Sequence, residues 1–163
     1  MREILFRGKR TRDGEWVEGS LLIDTYYTVS NTEVKHYRII NSTYGEEDTI
    51  GLVKYQIGCD VEVDPDTVSQ FTGLYDRNGR KVFEGDILIN RSNWFKDHYG
   101  VVKYGEFNDG DCFPGVYGWG CTDEVNICDL FPLPPAFPPA HINTEVIGNI
   151  WDNPELFEKW RET

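Results

Sequence analysis

No apolar run in this 163-residue chain approaches the ~20 residues that a membrane helix needs. The opening stretch, Met1 to Gly8, carries too short an apolar segment for a secretory signal. A cytoplasmic protein that does not engage membranes is therefore expected. Positive charge is also scarce, with 16 Lys and Arg against 28 Asp and Glu and a net charge of -12. That balance argues against a surface that grips phosphate backbones or anionic lipid as a whole, and leaves only a local basic patch open. Cysteine is sparse and widely spaced, at Cys59, Cys112, Cys121 and Cys128, with no close pair of the zinc-ribbon or thioredoxin kind. Reduced thiols packed as small hydrophobes are the expected state. The rival is a tetrahedral site from Cys112, Cys121, Cys128 and His141, which would require residues 112–141 to fold around one centre. The histidines, His36, His98 and His141, are scattered, and neither a Gly-x-Ser-x-Gly elbow nor a phosphate loop occurs. No enzyme activity, cofactor or metal is expected.

What the chain does hold is strand signal. Aromatic residues make up 14% of it and glycines number 16, so short apolar runs alternate with turn residues. Residues 3–7 and 16–23 read as a hairpin whose charged turn is tightest at Asp13-Gly14. Residues 34–40 read as a third strand, and the polar stretch 41–49 as a mobile loop. Asp64-Pro65-Asp66-Thr67 is a turn, because Pro fixes φ and restricts the residue before it. Residues 68–75 are extended, Asp76-Arg77-Asn78-Gly79 turns again, and Lys81 to Ile89 follows as one strand bulged at Gly85. Residues 100–104 and 145–150 complete the strands. The segment 130–139 holds five prolines and reads as a crossover packed on the core, or else as an exposed recognition segment. Only the C-terminus reads as helix, with Asp152 or Asn153 as cap, Pro154 at the first position, and Leu156, Phe157 and Trp160 on one face. Trp16, Phe71, Phe83 and Ile147 are expected in the core. The fold class is all-β.

Three stretches resemble the YopX family of phage and prophage proteins. They are Phe6-Arg7-Gly8-Lys9-Arg10 with Gly14-Glu15-Trp16-Val17-Glu18-Gly19, then residues 68–79 continuing through Phe83-Glu84-Gly85-Asp86-Ile87, and last residues 145–156. The resemblance implies a small all-β fold with an N-terminal β-hairpin region, an SH3-like barrel in the C-terminal part and one short C-terminal helix. On that basis the expected division is 1–66 and 67–163. It also implies a phage or prophage setting, hence a bacterial host cytoplasm, and it carries no agreed biochemical activity.

The shared residues are mainly of the kind that builds a fold. Asp86, after Gly85, suits an acceptor of backbone hydrogen bonds at a bend. The functional alternative gathers Gln70, Asp76, Glu84 and Asp86 into one polar cluster. Two surfaces are candidates for binding, against the plainer readings that the aromatic rings fold back over the core and that the basic turn is only solvated. One is the aromatic loop with Trp94, Phe95 and Tyr99, of the sort that grips extended peptides or bases. The other is a basic patch of Arg7, Lys9, Arg10 and Arg12 on the first hairpin. The expected function is a non-enzymatic accessory protein that binds and self-associates, because Phe131, Phe137, Trp94, Phe95 and Trp119 are many large rings for one small fold to hide. A phage or host protein is the other partner class, and nucleic-acid binding through the basic patch is the alternative.

Overall fold

Alternation of apolar and polar side chains suits sheets that are buried on one face, and nearly every described element is extended. The computed structural model describes residues 4–41, 46–50, 53–57, 60–90, 98–107, 116–122 and 144–156. The chain forms two compact units, Met1–Gln70 and Phe71–Thr163.

In the first unit β1 (Phe6–Lys9), β2 (Trp16–Tyr27) and β3 (Glu33–Ile40) run antiparallel, followed by β4 (Glu46–Ile50), β5 (Val53–Ile57) and β6 (Asp60–Glu62). In this unit the strands lie in the order β6-β3-β2-β1, with Phe6 and Arg7 of β1 pairing on their other side with Gln70 and Ser69, while β4 and β5 pair with each other as a separate hairpin. In register, Gly8 faces Val17, Leu21 faces Ile39, and Ile39 faces Val61. Every second residue therefore points to one side, where buried Val17, Ile39 and Val63 meet Phe6, Tyr37, Val61 and Val68. Each fully buried Val or Ile contributes about 1.5–3 kcal/mol relative to exposure. Gly19 lets β3 approach closely, since a Cβ there would strike the Ile40 carbonyl. A 3-10 turn at Pro65–Thr67 follows, capped by the Asp64 carboxylate, which accepts from the Asp66 N–H at 3.1 Å.

Strand β7 (Ser69–Tyr75) starts at the end of the first unit and continues into the second. The second unit adds β8 (Lys81–Phe83), β9 (Asp86–Asn90), β10 (His98–Phe107), β11 (Val116–Thr122) and β12 (Glu145–Asn149). Its four-stranded sheet has the order β11-β10-β9-β12, and Val82, Leu88, Val102 and Val146 form its aliphatic core. Phe71 faces Phe83, with ring centroids 5.5 Å apart, and Tyr75 meets Phe71 edge-on at the same distance. The chain turns helical at Pro154.

The protein is all-β, with one short helical segment. The SH3-like barrel is not closed among the described residues, where the four-stranded sheet is open and ends in β11 and β12. Four other expectations need correction. Residues 46–49 lie in β4 rather than in a loop, because Glu46 to Ile50 pair with Val53 to Ile57. Lys81 to Ile89 is two strands, because Gly85 takes φ +77° and the chain turns there. Trp16 and Ile147 are only half-buried, whereas Phe71 and Phe83 are fully buried. His98 and Tyr99 belong to β10, where Tyr99 faces Ile89, rather than to a loop.

Candidate interaction surface

The structure divides the four basic residues of the first hairpin into two pairs, Arg7 with Lys9 at Trp16 and Arg10 with Arg12 at Asp13. Alternation along β1 puts Arg7 on the face opposite the Val17 core, beside Trp16 and Ser69, and there it is only 7% exposed. Its Nε donates to Ser69 Oγ at 3.1 Å, and its guanidinium lies 4.6 Å from the centre of the Trp16 ring. Lys9 reaches the same indole at 5.6 Å. In the turn, Arg10 Nε lies 2.9 Å from Asp13 Oδ1, and Arg12 approaches the other oxygen at 3.3 Å. Burial disfavours the charge of Asp13, but the Glu15 N–H and the guanidiniums of Arg12 and Arg10 outweigh it and hold its carboxyl below the usual range. Arg12 is the member that stands clear of the surface, with its side chain 81% exposed.

The acidic residues of the central motif point inward and serve the backbone. Asp76 is 1% exposed. One of its oxygens accepts from the N–H groups of Asn78 and Arg80, both at 2.8 Å, and the other from Val146 N–H at 3.1 Å. Burial pushes its pKa up, yet those three donors and the Arg80 charge together hold it below the usual carboxylate range. Asp86, fully buried, accepts from Phe83 N–H at 2.8 Å and so fixes the bend around Gly85. Asn149 works likewise: its side-chain oxygen accepts from Trp151 and Asp152 N–H at 3.0 and 2.9 Å, while its Nδ2 donates to Asp152 at 2.8 Å. These groups are engaged in turns of the fold. Among the described residues no three His, Cys, Asp or Glu side chains come together as metal ligands.

The outer end of the β2–β3 hairpin is a different surface. Both strands run on past the core to a turn in which Thr28 N–H donates to Thr32 C=O at 2.9 Å and Asn31 takes φ +59°. Here Ile23, Tyr26, Tyr27 and Val29 are exposed by 46%, 45%, 63% and 111%. Tyr26 hydroxyl lies 2.9 Å from His36 Nε2, and His36 Nδ1 is 3.9 Å from Glu62. On the same face Arg38 pairs with Asp24 on β2 and Asp60 on β6. On the opposite face Tyr27 hydroxyl donates to Glu33 at 3.4 Å, and Lys35 Nζ lies 3.2 Å from Glu33. The hydrogen bond and opposite charge of Glu33 push the Lys35 ammonium pKa up.

Sequence reasoning passed over this surface, although a signal was present. Tyr26 and Tyr27 are consecutive, and in a strand consecutive side chains take opposite faces, so both cannot enter one core. Trp94 and Phe95, the proline segment 130–139, Cys59, Cys112, Cys128 and His141 lie outside the described residues, as do the side chains of Trp119 and Cys121. No helix among the described residues is long and apolar enough to cross a membrane.

The model of the family described as YopX protein matches residues 5–158. No curated protein matches the chain. Among solved structures the chain is similar to protein EF1440 from Enterococcus faecalis, with 23% identity, a TM-score of 0.47, and 96% of this chain and 99% of that one covered.

Proposed function

The chain belongs to the YopX family, and on that premise we propose that it is a non-enzymatic phage or prophage accessory protein that works by binding, as a self-associating module in the cytoplasm of a bacterial host. The observation that carries this reading is the outer end of the β2–β3 hairpin, where Ile23, Tyr27 and Val29, and on the opposite face Tyr26, stand exposed on one projecting element. Large apolar groups exposed on a projecting element are often covered in soluble proteins, and symmetric association is a common cover. The buried carboxylates support a binding role in a second way. Asp76 and Asp86 accept backbone hydrogen bonds, which commits them to the fold.

The nucleic-acid alternative has weaker support. Arg7 is buried against Trp16, and Arg10 pairs with Asp13, so neither extends toward a phosphate.

Light scattering of the full chain at micromolar concentration tests the reading. A particle of at least twice the 18.9 kDa chain mass is expected. Tyr27→Ser combined with Val29→Ser should shift it toward the single-chain mass with the fold intact. A wild-type particle of one chain mass throughout would refute self-association.

A further inference from the structure

We infer that the outer edge of β3 at Glu33–Lys35 pairs antiparallel with the same edge of a second copy of this chain, about a two-fold axis at Val34, so that each Glu33 faces the partner's Lys35. This inference rests on the self-association reading and names its surface.

The backbone parity of β3 is set by two observed bonds. Tyr37 C=O accepts from Val63 N–H at 2.9 Å, so odd-numbered residues of β3 point their backbone groups away from β2. Thr32 C=O accepts from Thr28 N–H, so even-numbered residues point theirs toward β2. Strand β6 covers the outer edge only at Arg38, Ile39 and Ile40, and the chain then leaves through Val63 toward β1, where Asp64 N–H donates to Lys9 C=O. Among the described residues no strand pairs with Glu33 or Lys35 on that side. Among the described residues their N–H and C=O groups form an open edge on a two-stranded ribbon, and a ribbon of two strands is marginal in water.

Lysine on an edge usually discourages pairing. Here Lys35 is matched by Glu33 two residues away on the same face, at 3.2 Å, so the edge carries no net charge between them. The charges instead select the register. Pairing must set outward-pointing odd residues opposite each other. An axis at Glu33 or at Lys35 places like charges directly opposite, which destabilises a sheet. The axis at Lys35 also needs Tyr37, whose carbonyl is already taken by Val63. The axis at Val34 puts Glu33 opposite the partner's Lys35 twice, and each such pair exchanges both of its N–H···O bonds. Two ribbons then become one four-stranded sheet, with Val34 and Tyr26 of each copy next to the axis.

Sedimentation velocity on the full-length chain over a concentration series tests this, with four variants: Lys35→Glu, Glu33→Lys, the double reversal of both, and Lys35→Pro. Each single reversal should weaken the dimer by about tenfold, and the double reversal should restore it. Lys35→Pro removes an outward N–H and should give a monomer with an unchanged far-UV spectrum. Should that variant unfold, the charge set decides alone. A dimer indifferent to every reversal, or single losses that the double reversal does not restore, overturns the edge assignment and leaves self-association standing. A wild-type monomer at all concentrations overturns both.

Discussion

The carboxylate of Asp76 accepts a hydrogen bond from the backbone N–H of Val146, 3.1 Å away and 70 residues further along the chain. With the Asn78 and Arg80 N–H groups on its other oxygen, Asp76 ties a turn to an edge strand of the second unit. Removing it leaves buried donors without an acceptor. Asp76→Ala should therefore cost about 3 kcal/mol, since hydrogen bonds to charged groups are worth roughly 1.5–3 kcal/mol and unpaired buried groups add to the loss. Urea denaturation at neutral pH measures it, and a loss below about 1 kcal/mol would contradict the role assigned here.

The same carboxylate sets a pH dependence. Its folded pKa lies below the ordinary value of 3.8. A depressed pKa means that the unfolded chain binds the proton more readily. The stabilisation is thus fully present above the unfolded pKa and is lost as pH falls through the folded one. Asp76→Asn should flatten the fall in stability on the acid side of pH 4, compared with wild type at each pH. An unaltered acid limb would show that other carboxylates dominate.

Gly85 and Gly79 offer a matched comparison. Both have positive φ, +77° and +81°, so alanine at either meets the same backbone penalty of about 1–2 kcal/mol. At Gly79 nothing lies within 4 Å of the added Cβ, whereas at Gly85 it would run into the Trp151 indole. Gly85→Ala should therefore destabilise by about 1–3 kcal/mol more than Gly79→Ala. Thermal melts of the two variants side by side give the difference, and equal losses would mean that Trp151 moves aside at no cost.

Arg7 and Arg12 separate fold from surface. Arg7→Ala removes a buried charged hydrogen bond and the stacking on Trp16, and should cost about 2 kcal/mol. Arg12→Ala removes one exposed ion pair and should stay within about 0.5 kcal/mol. A filter-binding assay with single- and double-stranded DNA should show the same weak retention for wild type and Arg12→Ala. A clear drop for Arg12→Ala, with stability unchanged, would revive the basic-patch reading.

Much of the fold was legible because it depends on neighbours in the chain. Short apolar runs between turn residues marked β2, β3 and β7, Asp13-Gly14 and Asn78-Gly79 marked turns, and Pro154 marked the helical start, since steric limits on Pro and the freedom of Gly act within one or two residues. Asp86 as a bend acceptor was readable for the same reason, its donor being Phe83 three residues away. Strand β4 was not legible, because its polar residues have no apolar period and become a strand only by pairing with β5.

The sequence by itself determined the class, the turns at Asp13-Gly14, Asp64 to Thr67 and Asn78-Gly79, and the acidic balance, all of which follow from local sterics and composition. Only the tertiary structure decided which charges are spent on the fold. Arg7 reads as a surface cation until Ser69, 62 residues away, and Trp16 on the neighbouring strand are brought to it. Glu33 and Lys35 drew no reading from the sequence, and they become an edge only because β6 stops short of them. In each case the partner is remote in the chain, and the energy of a buried or edge polar group depends on what stands opposite it rather than on what precedes it.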